Sequence, residues 1–260
     1  MKPLWTIEEA RRFDQLASEH GVPKLSLMEN AGRGAADVIA ARYPVAQRIL
    51  VLAGPGQNGG DGYVVARFLS ARGKKVAVMA FGREPTGDAA INRDAWQKLG
   101  GTVLDGSTPP RSADLRPYDL LVDALFGTGL DRPLEGALKE LTASMRKAEV
   151  PTVALDVPSG ISAERGRIGD AVRAELTVSF GAAKRGHYEA KAAELVGELE
   201  VAFLGADPFL FEPSALVLEA DDLRVAPRSR VAHKGQSGRV CIVAGHANTA
   251  GAAALVARGA

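Results

Sequence analysis

The chain has 260 residues, which is enough for one large α/β domain, or for one such domain and the beginning of another. Hydrophobic residues make up 46% of it and charged residues 24%, and 32 Lys and Arg against 31 Asp and Glu leave a net charge of +1. This balance excludes binding of nucleic acid or anionic membranes through overall charge, so any anion site must be local.

Targeting and redox signals are sparse. The first residues lack the apolar stretch of a secretory signal, and no apolar segment approaches the roughly 18 residues of a membrane span. We therefore expect a soluble, cytoplasmic protein with no membrane or nucleic-acid partner. The single cysteine, Cys241, cannot form an intrachain disulfide, and we expect it to be a small buried side chain on a strand.

Two short patterns predict helix starts near the N-terminus. Thr6–Glu9 and Ser26–Glu29 have the spacing of capping boxes, in which a hydroxyl and a carboxylate each bond the other residue's backbone amide. They predict helices over residues 7–20 and 27–43, separated by a Gly-Val-Pro sequence at 21–23. These paired helices are a candidate interface for a homodimer.

Short apolar segments then alternate with helical ones. The predicted strands are 48–53, 75–81, 118–123, 152–156, 176–180 and 197–203, and the predicted helices are 61–72, 88–99 and 136–147. Residues 49–53 and 120–122 are apolar throughout, as in strands covered on both faces. The pattern predicts an α/β fold of the Rossmann-like type, with three layers and a doubly wound, mainly parallel sheet.

The composition changes after a proline-containing stretch at 207–213. We expect residues 1–213 to form one domain, and 214–260 to be a linker followed by the truncated beginning of a second domain. That beginning has a loop, a strand and a glycine turn over 233–245, and then an alanine-rich helix that stops at Ala260. About thirty residues are too few to bury a core alone.

A glycine-rich segment, Gly54–Gly62, follows the first central strand and precedes a helix. Glycines permit close approach and positive φ, and a helix N-terminus attracts anions, so we expect the segment to receive a nucleotide phosphate. The G-x-G-x-x-G match at 54–59 would also fit an NAD(P)-dependent oxidoreductase. No acidic residue ends the next strand at 79–81, however, and the absence of Gly-Lys-Ser/Thr excludes a Walker A loop.

Acidic residues end two further strands. Asp123 precedes a flexible turn whose Thr128 and Arg132 suit phosphate or ribose, and Asp156 is followed three residues later by Ser159. Because ligands of doubly wound folds bind beyond the carboxyl ends of the strands, we expect one crevice there. The alternatives are structural: Asp123 as a cap or turn former, Asp156 in an internal salt bridge, and Ser159 as a turn cap.

Other polar residues are less informative. Asn58, Asp123 and Ser159 offer only oxygen ligands and a single carboxylate, which suits a monovalent hard cation rather than zinc. Lys184 follows a strand and either reaches the ligand or is a solvated surface lysine. The histidines lack metal-ligand spacing and are not expected to be catalytic: His20, His187, His233 and His246.

Together, these segments resemble the NAD(P)H-hydrate epimerase family. The likeness covers about residues 5–205 and is carried by five motifs in order: 27–32, 54–62, 123–130, 156–160, and 177–180 with Lys184. From His233 onward the chain resembles the opening of the ADP-dependent NAD(P)H-hydrate dehydratase, a ribokinase-like domain fused behind the epimerase in bacterial relatives. The chain thus resembles the front half of a bifunctional nicotinamide-repair enzyme.

The resemblance implies a substrate and its contacts. The substrate is NADH or NADPH hydrated at C6 of the nicotinamide ring, whose R and S epimers are interconverted because the dehydratase accepts only one. The residues implied to contact it are Gln57, Asn58, Gly59, Gly60, Asp61, Gly127, Thr128, Gly129, Leu130, Asp131, Arg132, Pro133 and Asp156. Gln57 stands where the family commonly has Asn. A potassium ion would be held by Asn58, Asp123 and Ser159.

The chemistry of the substrate limits the mechanism. C6 carries both a hydroxyl and the ring nitrogen, so inversion needs only that one of these bonds break and re-form with proton transfer. We predict Asp156 as the acid/base group and Lys184 as the group that stabilises negative charge. The non-catalytic alternative is a nucleotide-binding interaction module, and the presence of Asp61, Asp123, Asp156 and Ser159 favours catalysis.

Overall fold

The structure, a computed structural model, describes residues 1–223, 241–245 and 250–259. The chain divides into two compact units, Met1–Val217 and Leu218–Ala260. This division lies four residues beyond the boundary predicted after residue 213. The assignment of 214–260 to a linker and a dehydratase domain stays a prediction, because much of it falls outside the described residues.

Strands and helices of the first unit follow the predicted alternation. Its strands are β1 (Lys2–Trp5), β2 (Arg48–Ala53), β3 (Lys75–Ala80), β4 (Thr102–Asp105), β5 (Leu120–Ala124), β6 (Thr152–Leu155), β7 (Ile161–Ser162), β8 (Gly166–Arg167), β9 (Leu176–Phe180), β10 (Ala183–Lys184), β11 (Glu198–Ala202) and β12 (Leu216–Val217). Its helices are α1 (Ile7–Glu19), α2 (Lys24–Arg42), α3 (Gln57–Ala71), α4 (Gly87–Lys98), α5 (Ser112–Leu115), α6 (Gly136–Ala148), α7 (Arg185–Tyr188) and α8 (Ala190–Val196).

Among residues 1–223, seven strands form a parallel sheet in the order β11-β9-β6-β5-β2-β3-β4. Side chains of β2 alternate between two cores. Val51 packs in one core with Ile39 of α2, while Leu52 packs in the other with Leu141 of α6. Both faces are therefore covered, which explains the wholly apolar strands and confirms the predicted three-layer, doubly wound α/β fold.

The six strands predicted within residues 1–213 are all present, each within two residues at either end. Strands β1 and β4 were not predicted, because each has only four residues and little apolar alternation. Strand β1 pairs with β10 and β12 in a separate small sheet. In that pairing Trp5 lies opposite Lys184, so the N-terminal strand reaches the carboxyl edge of the main sheet.

One predicted capping box is confirmed and the other is wrong. Thr6 Oγ1 accepts from the Glu9 amide at 3.1 Å, and the Glu9 carboxylate accepts from the Thr6 amide at 2.8 Å. Helix α2 instead begins at Lys24, after Pro23 and without a side-chain cap. Glu29 pairs with Arg67 of α3 rather than with the helix end, so a tertiary contact replaced the local one.

In the second unit, the described residues form a 3₁₀-helix at Ala220–Leu223 and α9 at Ala250–Gly259. Cys241 is exposed and lies outside any strand, so the expected burial is wrong; residues 241–245 pair with no described strand. Most of the predicted loop and strand at 233–245, with His233, and also His246 lie outside the described residues. No helix within the described ranges is long and apolar enough to cross a membrane.

Candidate active site

The glycine-rich segment is partly helical rather than a loop. Helix α3 begins at Gln57, with Gly56 as its N-cap, so residues 57–61 form its first turns. A Cβ on Gly54 would lie 2.0 Å from the Leu125 carbonyl oxygen, and one on Gly59 would lie 1.9 Å from the Gly54 carbonyl oxygen. The glycines therefore serve close packing of helix against sheet. The positive φ that we expected is not found in this segment.

A cavity of about 500 Å³ lies at the carboxyl ends of the strands. Its volume is in the range of small-molecule sites. Many of the residues predicted from sequence line it: Gln57, Asn58, Asp61, Gly127, Thr128, Gly129, Leu130, Asp156 and Lys184. The crevice predicted from the strand ends is therefore present.

Other predicted residues do not line this cavity. Gly59 and Gly60 are buried in helix packing, and Asp123 and Ser159 lie fully buried. The end of the turn faces solvent in the described structure, with three exposed residues: Asp131, Arg132 and Pro133. Contact of these residues with a substrate stays a prediction.

The N-terminal segment supplies a wall of the cavity that sequence reasoning missed. Lining residues from β1, α1 and α2 are Trp5, Ala10, Arg11, Asp14, Lys24, Leu27, Met28 and Ala31. The available signal was the amphipathic pattern of α1, which indicates a buried face but not what that face contacts. The pairing of β1 with β10 and the packing of α2 against α3 bring this wall to the strand ends.

A buried ion pair lies at the floor of the cavity. Lys184 Nζ is 2.5 Å from Asp156 Oδ1 and also donates to the Phe180 carbonyl at 2.8 Å and to Ser179 Oγ at 3.0 Å. Lys184 is only 2% exposed, which excludes a solvated surface lysine. The second carboxylate oxygen, Asp156 Oδ2, accepts a 3.3 Å hydrogen bond from the Thr128 amide. Asp156 thus makes the internal salt bridge and also lines the cavity.

His187 holds the backbone of this pair in place. Asp156 has φ 61°, a left-handed conformation that is uncommon for a residue with a side chain. His187 Nε2 donates to the Asp156 carbonyl at 2.9 Å, while His187 Nδ1 accepts from the Lys184 amide at 3.1 Å. Burial lowers the pKa of His187 to about 4, so the ring is neutral at neutral pH. Sequence analysis gave this residue no role.

Asp123 and Ser159 form a second polar cluster, which is buried beneath the strand-end side of the cavity. Asp123 accepts from the Ser159 amide at 2.8 Å, from Ser159 Oγ at 2.7 Å and from the Leu125 amide at 3.2 Å. Burial raises the pKa of Asp123 to about 6, although these hydrogen bonds oppose the rise. Ser159 Oγ also accepts from the Phe126 amide at 3.1 Å. The cluster fixes the start of the turn that follows β5.

Asn58 differs from its neighbours because its amide is unsatisfied. Both Asn58 Oδ1 and Nδ2 are buried and have no hydrogen-bond partner. A Cβ on Gly127 would lie 2.9 Å from Asp156 Oδ2 and 3.5 Å from Asn58 Oδ1, so the amide and the carboxylate border the same glycine. Buried polar groups without partners are rare and indicate a missing ligand or water. Among the described residues, no cluster of three or more His, Cys, Asp or Glu could hold a metal.

Asp61 is a third carboxyl group at the cavity. It is 7% exposed. Burial raises its pKa well above the ordinary value, the negative charges of Asp156 and Asp14 raise it further, and Lys184 opposes them. The cavity therefore combines an ion-paired carboxylate with a carboxyl group that favours its neutral form.

Comparison with known proteins assigns the family. The model of the family "YjeF-related protein N-terminus" matches residues 24–186. A Limosilactobacillus fermentum protein named NAD(P)H-hydrate epimerase is 37% identical over 202 residues, which cover 76% of this chain and 94% of that protein. The chain belongs to the NAD(P)H-hydrate epimerase family. The resemblance noted in the sequence is thereby confirmed.

Other relatives are longer than this chain. A Pyrobaculum aerophilum protein named bifunctional NAD(P)H-hydrate repair enzyme Nnr is 40% identical over 256 residues, which cover 94% of this chain and 50% of that protein. The chain spans about half the length of most curated relatives it matches, the Pyrobaculum protein among them. The crystal structure of the yeast protein ynu0 has a TM-score of 0.68 at 23% identity, covering 81% of this chain and 97% of that one, and it supports the fold.

Proposed function

We propose that this chain is an epimerase of hydrated NADH and NADPH, interconverting the R and S forms at C6 of the nicotinamide ring as part of nucleotide repair. The observation that carries this proposal is the buried pair of Asp156 and Lys184 at the floor of a ligand-sized cavity. This ion pair can transfer protons inside the cavity, and an epimerase needs proton transfer at its substrate site.

The N-terminus of α3 is the proposed site of the substrate's phosphates. Gln57 and Asn58 lie in its first turn and line the cavity. Backbone amides in a first helical turn lack intrahelical acceptors and favour anions. The turn over 127–130 lies on the same cavity, where its backbone amides and the Thr128 hydroxyl suit ribose or phosphate oxygens.

Asp156 has one carboxylate oxygen available for proton transfer. Lys184 holds Oδ1, while Oδ2 lies beside Gly127 and accepts only the long hydrogen bond from the Thr128 amide. At a hemiaminal carbon, protonation of the leaving group and deprotonation of the incoming one are sufficient for inversion. Asp156 is proposed as acid/base, and Lys184 stabilises its carboxylate and the negative charge that develops nearby.

We further propose that Asn58, Asp123 and Ser159 hold a potassium ion. The orphaned Oδ1 of Asn58 fits this group, because an amide oxygen, one carboxylate and a hydroxyl are hard ligands with a single negative charge. A bound potassium ion would supply a positive charge near the substrate's anionic groups. The chain's own contribution is the fixed position of Ser159, whose amide and hydroxyl both donate to Asp123.

The longer relatives support two further parts of the proposal. The intact protein would carry an ADP-dependent dehydratase domain behind the epimerase, and this chain alone would lack the lyase activity. We also propose that the protein forms a homodimer and is located in the cytoplasm.

The decisive experiment is an assay with a racemic hydrate and a separate dehydratase. The dehydratase alone should stop when its preferred epimer is consumed, apart from slow spontaneous epimerisation. Addition of this chain should drive consumption to completion. Tight nucleotide binding with no faster consumption would instead favour the non-catalytic interaction module, and hydride transfer to a substrate would favour the oxidoreductase.

A further inference from the structure

Asp61 is unlike Asp123 and Asp156, the two carboxyl groups on the strand-end side of the cavity. Asp123 accepts three hydrogen bonds and Asp156 pairs with Lys184, whereas Asp61 makes no hydrogen bond or ion pair with any described residue. It is nevertheless 93% buried and lines the cavity from the first turns of α3. An unpartnered carboxylate in such a position would be costly, so the geometry favours a neutral acid.

The charged groups around Asp61 also favour its neutral form. The groups that face Asp61 are Asp156 after β6, Asp14 of α1 and Lys184 of β10, and the cations Arg11 and Lys24 lie at the rim. Lys184 is already bound to Asp156, so it cannot also neutralise Asp61 by direct contact. Burial and the two carboxylates raise the pKa of Asp61. A substrate diphosphate would add further negative charge to the cavity.

We propose that Asp61 is a second catalytic residue, which as a neutral acid donates a proton to the hydroxyl that leaves C6, while the Asp156 carboxylate accepts a proton from the water that returns. This inference rests on the proposed epimerase function. The two carboxyl groups lie on different walls, because Asp61 belongs to α3 and Asp156 follows β6. Inversion by loss of water from one face of the ring and its return to the other uses a proton donor and a proton acceptor, and two groups with opposite protonation states supply them.

In this mechanism the C6–O bond breaks and then re-forms on the other face of the ring. The C6–O bond breaks with its electron pair on oxygen, which takes the Asp61 proton and leaves as water, while the lone pair of the ring nitrogen forms a C=N bond. Water then adds to the other face of C6, those electrons return to nitrogen, and the proton of the water passes to Asp156. Asp61 is left ionised and Asp156 protonated, so one proton returns through solvent before the next turnover. The reverse reaction exchanges the two roles.

The test compares Asp61→Asn with Asp14→Asn in the full chain, using epimerisation of the purified R or S hydrate. Asp61→Asn should lower kcat about 100-fold or more, with little change in KM, because general acid catalysis contributes about 10²–10⁴-fold. Thermal stability should change little, because the variant replaces one neutral, unpartnered polar group with another of the same shape. The kcat of the wild-type chain should fall as pH rises through the pKa of Asp61, and this limb should vanish in Asp61→Asn.

Asp14→Asn is the matched control, since it removes the neighbouring carboxylate but not the proton donor. It should retain the alkaline limb and move it to lower pH, because one charge that keeps Asp61 neutral is gone. A rise in KM at constant kcat in Asp61→Asn would overturn the proposal and leave Asp61 as a contact residue. If kcat instead no longer fell at high pH in Asp14→Asn, Asp14 would be the group that donates the proton to the leaving hydroxyl.

Infrared difference spectroscopy at neutral pH separates this inference from the proposed function. A neutral carboxyl band should be present in the wild-type chain and in Asp14→Asn, and absent in Asp61→Asn. If the wild-type chain epimerises the hydrate but has no such band, Asp61 is ionised and the inference fails alone. If the wild-type chain has no epimerase activity at any pH, the proposed function fails, and the catalytic role of Asp61 fails with it.

Discussion

The two walls of the cavity differ in how completely their polar groups are paired. The strand-end wall is formed by Asp156 and Lys184 and is backed by Asp123, Ser159 and His187, and each of these five side chains makes at least one direct hydrogen bond within the protein. The second wall, called the helical wall, is formed by Asp14, Lys24, Asn58 and Asp61 of helices α1, α2 and α3, together with Trp5 of β1. On that wall the Trp5 indole nitrogen and both amide atoms of Asn58 are buried without partners.

This difference indicates that the two walls have different roles when a ligand binds. A paired network holds its geometry without a ligand, which suits groups that must meet reacting atoms in a fixed position. Unpaired buried groups each cost about 1–3 kcal/mol, and such groups are satisfied when a ligand binds. The strand-end wall therefore holds Asp156 and Lys184 in position before a ligand binds, whereas the helical wall, which also carries Asp61, is completed by substrate or ion.

The largest effect should come from the strand-end wall, at Asp156. Asp156→Asn keeps the side-chain shape, and Asn tolerates the left-handed conformation at φ 61°. We expect epimerisation to slow about 10²–10⁴-fold, because the group that transfers the proton is lost. The measurement is interconversion of the purified R and S hydrates. Rates near those of the wild-type chain would refute the assignment.

A stability control is needed because the variant leaves Lys184 buried without its counter-charge. Removing one partner of a buried ion pair typically costs about 3–5 kcal/mol. The double variant Asp156→Asn, Lys184→Met removes both charges and should recover part of that stability. It should remain inactive, which would separate loss of chemistry from loss of folding.

A smaller effect is expected at His187, which acts through the backbones of Asp156 and Lys184. The unfolded chain takes up a proton at the ordinary histidine pKa of 6.5, whereas the folded chain does so only near 4. Stability should therefore be complete above pH 6.5 and fall as the pH drops toward 4, by about 3 kcal/mol in total. His187→Gln retains a hydrogen-bond donor and an acceptor but cannot take up a proton. Its stability should therefore not show the loss between pH 6.5 and 4 that is due to His187.

Chemical unfolding between pH 4 and 7 measures that difference. In the same chains, His187→Phe should lower kcat about 10-fold, and His187→Gln should recover most of the loss, as expected for a positioning residue. Equal pH dependence of stability in the wild-type chain and His187→Gln would contradict a neutral buried ring.

The strand-end wall was largely predictable from the sequence. Apolar segments marked the strands, and parallel strands place their carboxyl ends at one edge, so Asp123 and Asp156 had to lie near the Gly54–Gly62 segment. The ion pair with Lys184 was not predictable in the same way. It depends on β10, a two-residue strand that leaves no periodic signal.

The helical wall was not predictable for a related reason. Trp5 and Asp14 reach the cavity through tertiary pairing of β1 with β10, which local sequence does not encode. The start of α3 was placed four residues late, because the glycines at 59, 60 and 62 oppose helix formation locally. Close packing against the sheet outweighs that preference, since a Cβ at Gly62 would lie 2.7 Å from Ala124 Cβ.

The smallest effect concerns the unpaired amide of the helical wall, through potassium. If Asn58, Asp123 and Ser159 hold the ion, potassium chloride should stabilise the wild-type chain beyond lithium chloride at equal ionic strength. The gain should be about 1.4 kcal/mol at ten times the dissociation constant. Asn58→Ala should abolish this specific gain with little other loss of stability, because the Asn58 amide has no hydrogen-bond partner to leave behind.

Asn92 provides the matched control for that experiment. It is also buried, but its amide oxygen accepts from Arg67 at 2.9 Å and its amide nitrogen donates to the Asp88 carbonyl at 3.2 Å. Asn92→Ala should therefore cost about 1–3 kcal/mol in any salt and keep the full response to potassium. If Asn58→Ala also kept that response, the ion would lie elsewhere, and the amide of Asn58 would be left for the substrate to satisfy.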